Sequence, residues 1–275
     1  MSRITEKLID AKSRGGGFIP FVTACDPDRE TSLSVLLTLA ELGADVIELG
    51  VPFSDPMADG PTIQRSSQRA LRGGTTLIDV LQLATGFRKR SDVPMVVFSY
   101  FNPIMRFGLD DFSRAAGDAG VDGLLLTDII DDEAAAIADL LSMHGIDLIS
   151  LVAPTTSDVR LETICSRSRG FIYAVSRAGV TGARSATSTE AENLVQRTRP
   201  FTSLPIAVGF GISNSEQISA VWRYADAAVV GSAIVDEIEK GIASGTVADR
   251  VASFVNQLMR RSGADGQVAK RTVEN

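Results

Sequence analysis

Histidine is almost missing from this chain: His144 stands alone among 275 residues. A single imidazole rules out a metal site built from several histidines and argues against a histidine-based triad. It sits in Ser142-Met143-His144-Gly145, which reads as a helix end closed by glycine. Cysteine is nearly as scarce. Cys25 and Cys165 lie far apart without metal-ligand spacing, and are expected as two reduced core thiols. Lysine occurs only as Lys7, Lys12, Lys89, Lys240 and Lys270, each in a polar helical or tail context. A Schiff-base aldolase needs a desolvated amine at a strand end, so that chemistry is excluded.

Long apolar runs are also lacking. None approaches the roughly 20 residues of a membrane span, and Met1 to Arg14 has no apolar signal core, so a cytoplasmic location is expected. No block of basic residues stands out, and the net charge is −7 with a pI near 4.9. Nucleic acid and anionic membranes are therefore poor partners, and an anionic small substrate has to be held by local donors.

What the chain does have is a regular alternation of two periods. Short apolar runs recur at Gly17–Ala24, Asp45–Leu49, Pro94–Tyr100, Gly123–Thr127, Asp147–Val152, Phe171–Val175, Pro205–Gly209 and Ala227–Val230. Their near-continuous apolar character suits a parallel sheet buried on both faces. Between them fall amphipathic stretches with helical spacing, among them Arg29–Gly43, Pro61–Arg72, Asp132–His144 and Val247–Arg260. A helix over Arg3–Lys12 precedes the first strand, and extra helices follow the second strand (Leu77–Arg90) and the eighth. Eight such units predict a single (β/α)8 TIM barrel over residues 1–262, with 263–275 as a polar tail. An open dinucleotide-binding sheet would carry a glycine fingerprint at its first turn, and Thr23-Ala24-Cys25-Asp26-Pro27 has none.

In such barrels the reactive groups sit at the C-terminal ends of the strands. There Glu48 interrupts an apolar run, where an unpaired carboxylate costs several kcal/mol unless it takes a proton. Either it pairs with an arginine or it is a catalytic acid/base. Asp59, in Ser54-Asp55-Pro56-Met57-Ala58-Asp59-Gly60-Pro61, is either a helix cap or the partner carboxylate of Glu48. Asp55 leans towards a turn. Glycine-rich turns follow the last three strands: Gly179-Val180-Thr181-Gly182, Gly209-Phe210-Gly211 and Gly231-Ser232. Their backbone N–H groups suit a phosphate, with a short helix opening at Gly231-Ser232. Phe21, Phe98, Tyr100, Tyr173 and Phe210 fall in or just after strands and suggest a flat apolar ligand.

The stretch Glu48-Leu49-Gly50-Val51-Pro52-Phe53-Ser54-Asp55-Pro56-Met57-Ala58-Asp59-Gly60-Pro61-Thr62-Ile63-Gln64 closely resembles the signature of the tryptophan synthase alpha chain family. So do Phe18-Ile19-Pro20-Phe21-Val22-Thr23, Ser176-Arg177-Ala178-Gly179-Val180-Thr181-Gly182, Gly209-Phe210-Gly211-Ile212-Ser213 and Gly231-Ser232-Ala233-Ile234-Val235. The resemblance implies a lyase of tryptophan biosynthesis that cleaves indole-3-glycerol phosphate to indole and glyceraldehyde 3-phosphate. It implies Glu48 as the acid/base and Asp59 as the group that holds the indole N–H. Phe21, Tyr100, Tyr173, Thr181 and Phe210 match substrate-lining positions, and Gly182, Gly211, Gly231 and Ser232 match phosphate-binding ones. The family also implies no cofactor in this chain, and a pyridoxal-phosphate beta subunit as partner in an α2β2 heterotetramer. Where family members commonly have Asp-Leu-Pro after the fourth strand, this chain has Asp128-Ile129-Ile130. That departure bears on docking. Two other readings compete: an isomerase barrel for sugar phosphates, and an idle scaffold that only activates a partner. The Glu48/Asp59 pair argues against both.

Overall fold

Each of the eight apolar runs becomes a parallel strand in the computed structural model, which describes residues 1–129, 131–175, 184–209 and 211–260. The strands are β1 (Gly17–Thr23), β2 (Ile47–Gly50), β3 (Met95–Ser99), β4 (Gly123–Leu126), β5 (Asp147–Val152), β6 (Ile172–Val175), β7 (Ile206–Gly209) and β8 (Ala227–Val230). They pair in chain order and β8 closes on β1, so the sheet is a barrel with no free edge. The helices on its outside are α1 (Arg3–Ser13), α2 (Arg29–Glu41), α3 (Pro61–Arg72), α4 (Leu77–Arg88), α5 (Phe101–Phe107) and α6 (Leu109–Asp118). After them come α7 (Asp131–Ser142), α8 (Asp158–Arg167), α9 (Arg184–Thr198), α10 (Ser215–Val221), α11 (Ser232–Gly241) and α12 (Val247–Leu258). The extra helices expected after the second and eighth strands are α4 and α11. The tail 263–275 lies outside the described residues.

Local chemistry explains several helix starts. Asp28 and Asn214 cap α2 and α10 by accepting the N–H of Thr31 and Gln217 at 2.8 and 2.9 Å. Thr76 and Asp79 form a reciprocal box at the start of α4. One helix was not foreseen: α5 has no cap of its own, and the N–H of Phe101 donates instead to Asp128 Oδ1 at 2.7 Å. Asp128, the one acid of the departing Asp128-Ile129-Ile130 segment, thus holds the start of a neighbouring helix.

Two shells of apolar side chains follow from the strands' alternation. Outward residues pack under the helices. Inward residues, including Ile19, Val46, Val96, Leu125, Ile149 and Phe171, fill the barrel axis, where Ile4 and Leu8 of α1 join them from below. The floor of the barrel is therefore plugged by α1. Carboxylates stitch the same end. Asp45, Asp122 and Asp226, placed just before β2, β4 and β8, accept the N–H of Phe18, Met95 and Ile206 at 2.9, 2.9 and 2.8 Å. Asp122 also takes Arg3 and Arg88 at 2.8 and 2.7 Å. Removing that shared acceptor leaves the buried Met95 N–H unpaired, while Arg3 and Arg88 keep their backbone acceptors, so Asp122→Ala is expected to lose about 1–3 kcal/mol of stability. Urea denaturation measures it, and turnover per folded molecule should stay unchanged, because the base of the barrel is far from the mouth.

Candidate active site

The register of β1, β2 and β3 places Glu48 beside Phe21 on one side and Val96 on the other. Its side chain points into the barrel one layer above the apolar plug. Only 1% of Glu48 is exposed, and neither carboxylate oxygen has a hydrogen-bond partner among the described residues. No described arginine or lysine reaches it, so the ion-pair alternative finds no support there. Burial alone pushes its pKa up to about 8, so at neutral pH the group carries a proton it can give away and recover.

Asp59 is held differently. Gly60, not Asp59, occupies the cap position of α3, with Pro61 in the first turn. The Asp59 carboxyl is therefore free of capping duty and receives the Tyr100 hydroxyl at 3.3 Å. Burial pushes its pKa up to about 6, and the Tyr100 hydrogen bond pulls the other way. The loop is braced by the Ala58 N–H donating to the Tyr100 hydroxyl at 2.8 Å and by Gln64 Nε2 donating to the Asp59 carbonyl at 2.9 Å. Phe53 stacks on Tyr100 with ring centres 4.9 Å apart. Asp55 accepts from the adjacent Ser54 hydroxyl and serves the turn.

Glu48 and Asp59 line one cavity of about 290 Å³ at the C-terminal mouth of the barrel. Phe21, Tyr173, Gly211, Gly231 and Ser232 line it too. Tyr100 stands behind Asp59 and is not among the lining residues. Thr181, Gly182 and Phe210 lie outside the described residues. Residues that the sequence reading did not single out also form walls: Ile63 from α3, Thr127 after β4 and Leu151 on β5. Thr127 and Leu151 continue the inward alternation of Leu125 and Ile149, a signal the near-continuous apolar runs conceal.

Two glycines shape the mouth. A Cβ on Gly209 would stand 2.2 Å from the Tyr173 hydroxyl, so only glycine lets that ring lie against β7. Gly211 has φ +39, a backbone setting that side chains rarely adopt. Across from the acids, Gly231 precedes the first turn of α11 and Ser232 begins it, so free N–H groups and a hydroxyl face the cavity. Phe21 and Phe98 meet edge to face at 5.4 Å, giving an aromatic wall. Among the described residues no group of three His, Cys, Asp or Glu is placed to hold a metal.

A closed (β/α)8 barrel whose mouth holds a cavity lined by a buried, partnerless carboxyl, a second acid and the glycine turn that opens a helix has the architecture of a barrel enzyme. The family can be named as well: a family model described as tryptophan synthase alpha chain matches residues 8–262, and the chain belongs to that family. It is 51% identical over 239 residues to the tryptophan synthase alpha chain of Caulobacter sp. (strain K31), covering 86% of this chain and 87% of the relative. Among solved structures, tryptophan synthase subunit alpha from Legionella pneumophila str. Paris superposes with a TM-score of 0.86 at 34% identity, over 94% of this chain and 97% of that one. A structure of the tryptophan synthase a2b2 complex from Pyrococcus furiosus matches with a TM-score of 0.81 at 37% identity, over 88% of this chain and 97% of the other. No helix among the described residues is long and apolar enough to cross a membrane.

Proposed function

We propose that this chain, as a tryptophan synthase alpha chain, cleaves indole-3-glycerol phosphate to indole and glyceraldehyde 3-phosphate with Glu48 and Asp59 as its working pair. The observation that carries the residue assignment is the partnerless, buried Glu48 carboxyl facing the cavity. Protonated Glu48 delivers its proton to the ring carbon that bears the glycerol chain. The resulting carboxylate takes the proton of the adjacent chain hydroxyl as the carbon–carbon bond breaks. The bonding electrons return to the ring, the hydroxyl carbon leaves as an aldehyde, and Glu48 ends as it began. Asp59, ionised above about pH 6, accepts the indole N–H and offsets the positive charge of the protonated ring. Phe21, Tyr173 and Phe98 supply the apolar surface for the ring, and we assign Thr181 and Phe210 to substrate binding from the family resemblance of their motifs. Tyr100 acts on the substrate through Asp59.

We assign the phosphate to Gly211, Gly231 and Ser232, and Gly182 to the same role from the family resemblance of its motif. Backbone N–H groups at a helix start suffice, which suits a wall without lysine. A substrate stripped of its phosphate is expected to lose about 10²–10³-fold in kcat/KM. Equal affinity for the two substrates would remove this assignment.

The partner is a pyridoxal-phosphate beta subunit in an α2β2 assembly, and we assign no cofactor to the alpha chain itself. Supporting this, Met57 and Met105, after the adjacent strands β2 and β3, are 94% and 61% exposed at the mouth end. Asp128 and Ile129, after β4, belong to the same end, and Ile130 lies outside the described residues. An indole-release assay on the purified chain, with and without added beta subunit, tests both parts. Silence in both arms sinks the activity, and equal rates sink the coupling.

A further inference from the structure

We propose that Arg69 and Glu239 form a positioning clamp that couples anion binding at the Gly231–Ser232 turn to the setting of Asp59. The clamp rests on the site reading above, in which Ser232 holds the phosphate and Asp59 the ring nitrogen. Arg69, on α3, donates from Nε and Nη2 to the two carboxylate oxygens of Asp26, each at 2.8 Å. Its remaining nitrogen, Nη1, donates to Glu239 at 2.8 Å. Arg65, one turn earlier on α3, also grips Glu239, with Nη2 at 2.7 Å. Glu239 lies on α11, two turns beyond Ser232. One guanidinium thus joins the loop after β1, the helix that follows Asp59 and the helix that starts at the anion turn.

The other end of α3 holds the acid loop. Gln64 donates to the Asp59 carbonyl at 2.9 Å, and Ser66 shares a buried 2.6 Å hydrogen bond with Thr23 at the end of β1. From Pro61 to Arg69 the helix spans about 12 Å as a stiff strut. A displacement of α11 on anion binding therefore reaches Asp59 through a continuous chain: Glu239, Arg69, α3, Gln64. Stability alone is a weak reason for this arrangement. The Asp26 side chain is wholly buried and that of Arg69 is 21% exposed, and removing such a pair from water offsets much of its attraction. What the planar fork of arginine supplies is a fixed angle between the two carboxylates it bridges.

The test is equilibrium binding of indole, with and without saturating inorganic phosphate, to the wild type, Glu239→Gln and Arg69→Lys. Glu239→Gln keeps the Asp26–Arg69 pair, and Arg69→Lys keeps the charge but cannot fork across two carboxylates. In the wild type, phosphate is expected to tighten indole binding about fivefold to tenfold. In Glu239→Gln, which loosens both the Arg69 and the Arg65 links, that factor should fall to about one, and in Arg69→Lys, where Arg65 still holds Glu239, to about half the wild-type value, with each ligand alone bound as in the wild type. Equal tightening in all three proteins, or none in the wild type, overturns the clamp. A variant that loses affinity for each ligand singly has a structural defect, and that result also counts against it. Failure of the wild type to bind either ligand would instead bring down the site reading on which the clamp stands.

Discussion

Replacing Glu48 by glutamine is expected to lower kcat by about 10⁴-fold or more, because one group both gives and takes the proton in the bond-breaking step. Glutamine keeps the size and removes the acid. The fold should survive, and the sign of the stability change can be worked out. Between the ordinary carboxyl pKa of 4.5 and the folded value of about 8, the native state keeps a proton that the unfolded state has lost. Stability contributed by Glu48 therefore declines as pH rises through that window. Glu48→Gln should melt no lower than wild type at pH 6 and should gain on it progressively towards pH 8. For the wild type, kcat/KM is expected to be bell-shaped, rising as Asp59 ionises near 6 and falling as Glu48 ionises near 8. Near wild-type indole release by the purified variant would end the mechanism.

Asp59→Asn is expected to cost about 10²–10³-fold in kcat, with KM within a few-fold of wild type. Asparagine still offers a carbonyl oxygen to the indole N–H, so ground-state binding survives. Its lack of charge matters when the ring becomes cationic, and that difference belongs to the transition state. The acid limb of the pH profile should disappear as well, since no group near 6 remains to titrate. The Tyr100 hydroxyl, whose pKa burial and then Asp59's charge raise to about 12, stays protonated throughout and does not replace the lost titration. A KM rise with unchanged kcat would assign Asp59 to binding alone.

The parts of this molecule that could be read beforehand share one property: their causes are local. Apolar runs of four to eight residues located every strand, and a carboxylate near the C-terminal end of one of them pointed to Glu48. Strand ends were read less well, and Asp45 shows why. It was read as the start of β2, yet its carboxylate is occupied with the N–H of Phe18 and the ladder begins at Ile47. The features that escaped depend on partners distant in sequence. Helix α5 is capped by Asp128 from 27 residues away. The hydrogen bond of the Tyr100 hydroxyl to Asp59 reaches a loop 41 residues earlier. Arg69 bonds to residues 43 and 170 positions away, and nothing in its neighbourhood on α3 announces that. Thr127 and Leu151 were hidden because residues buried on both faces show no polar alternation to say which side is the pocket.

The stopper that α1 drives into the lower end of the barrel has a consequence for traffic. With Ile4 and Leu8 sealing that end, a small apolar product has no exit through the axis. Among the described residues the cavity opens at the opposite end, the rim where Met57 and Met105 stand exposed. A companion protein seated on that rim would intercept whatever is released, with no tunnel needed inside this chain.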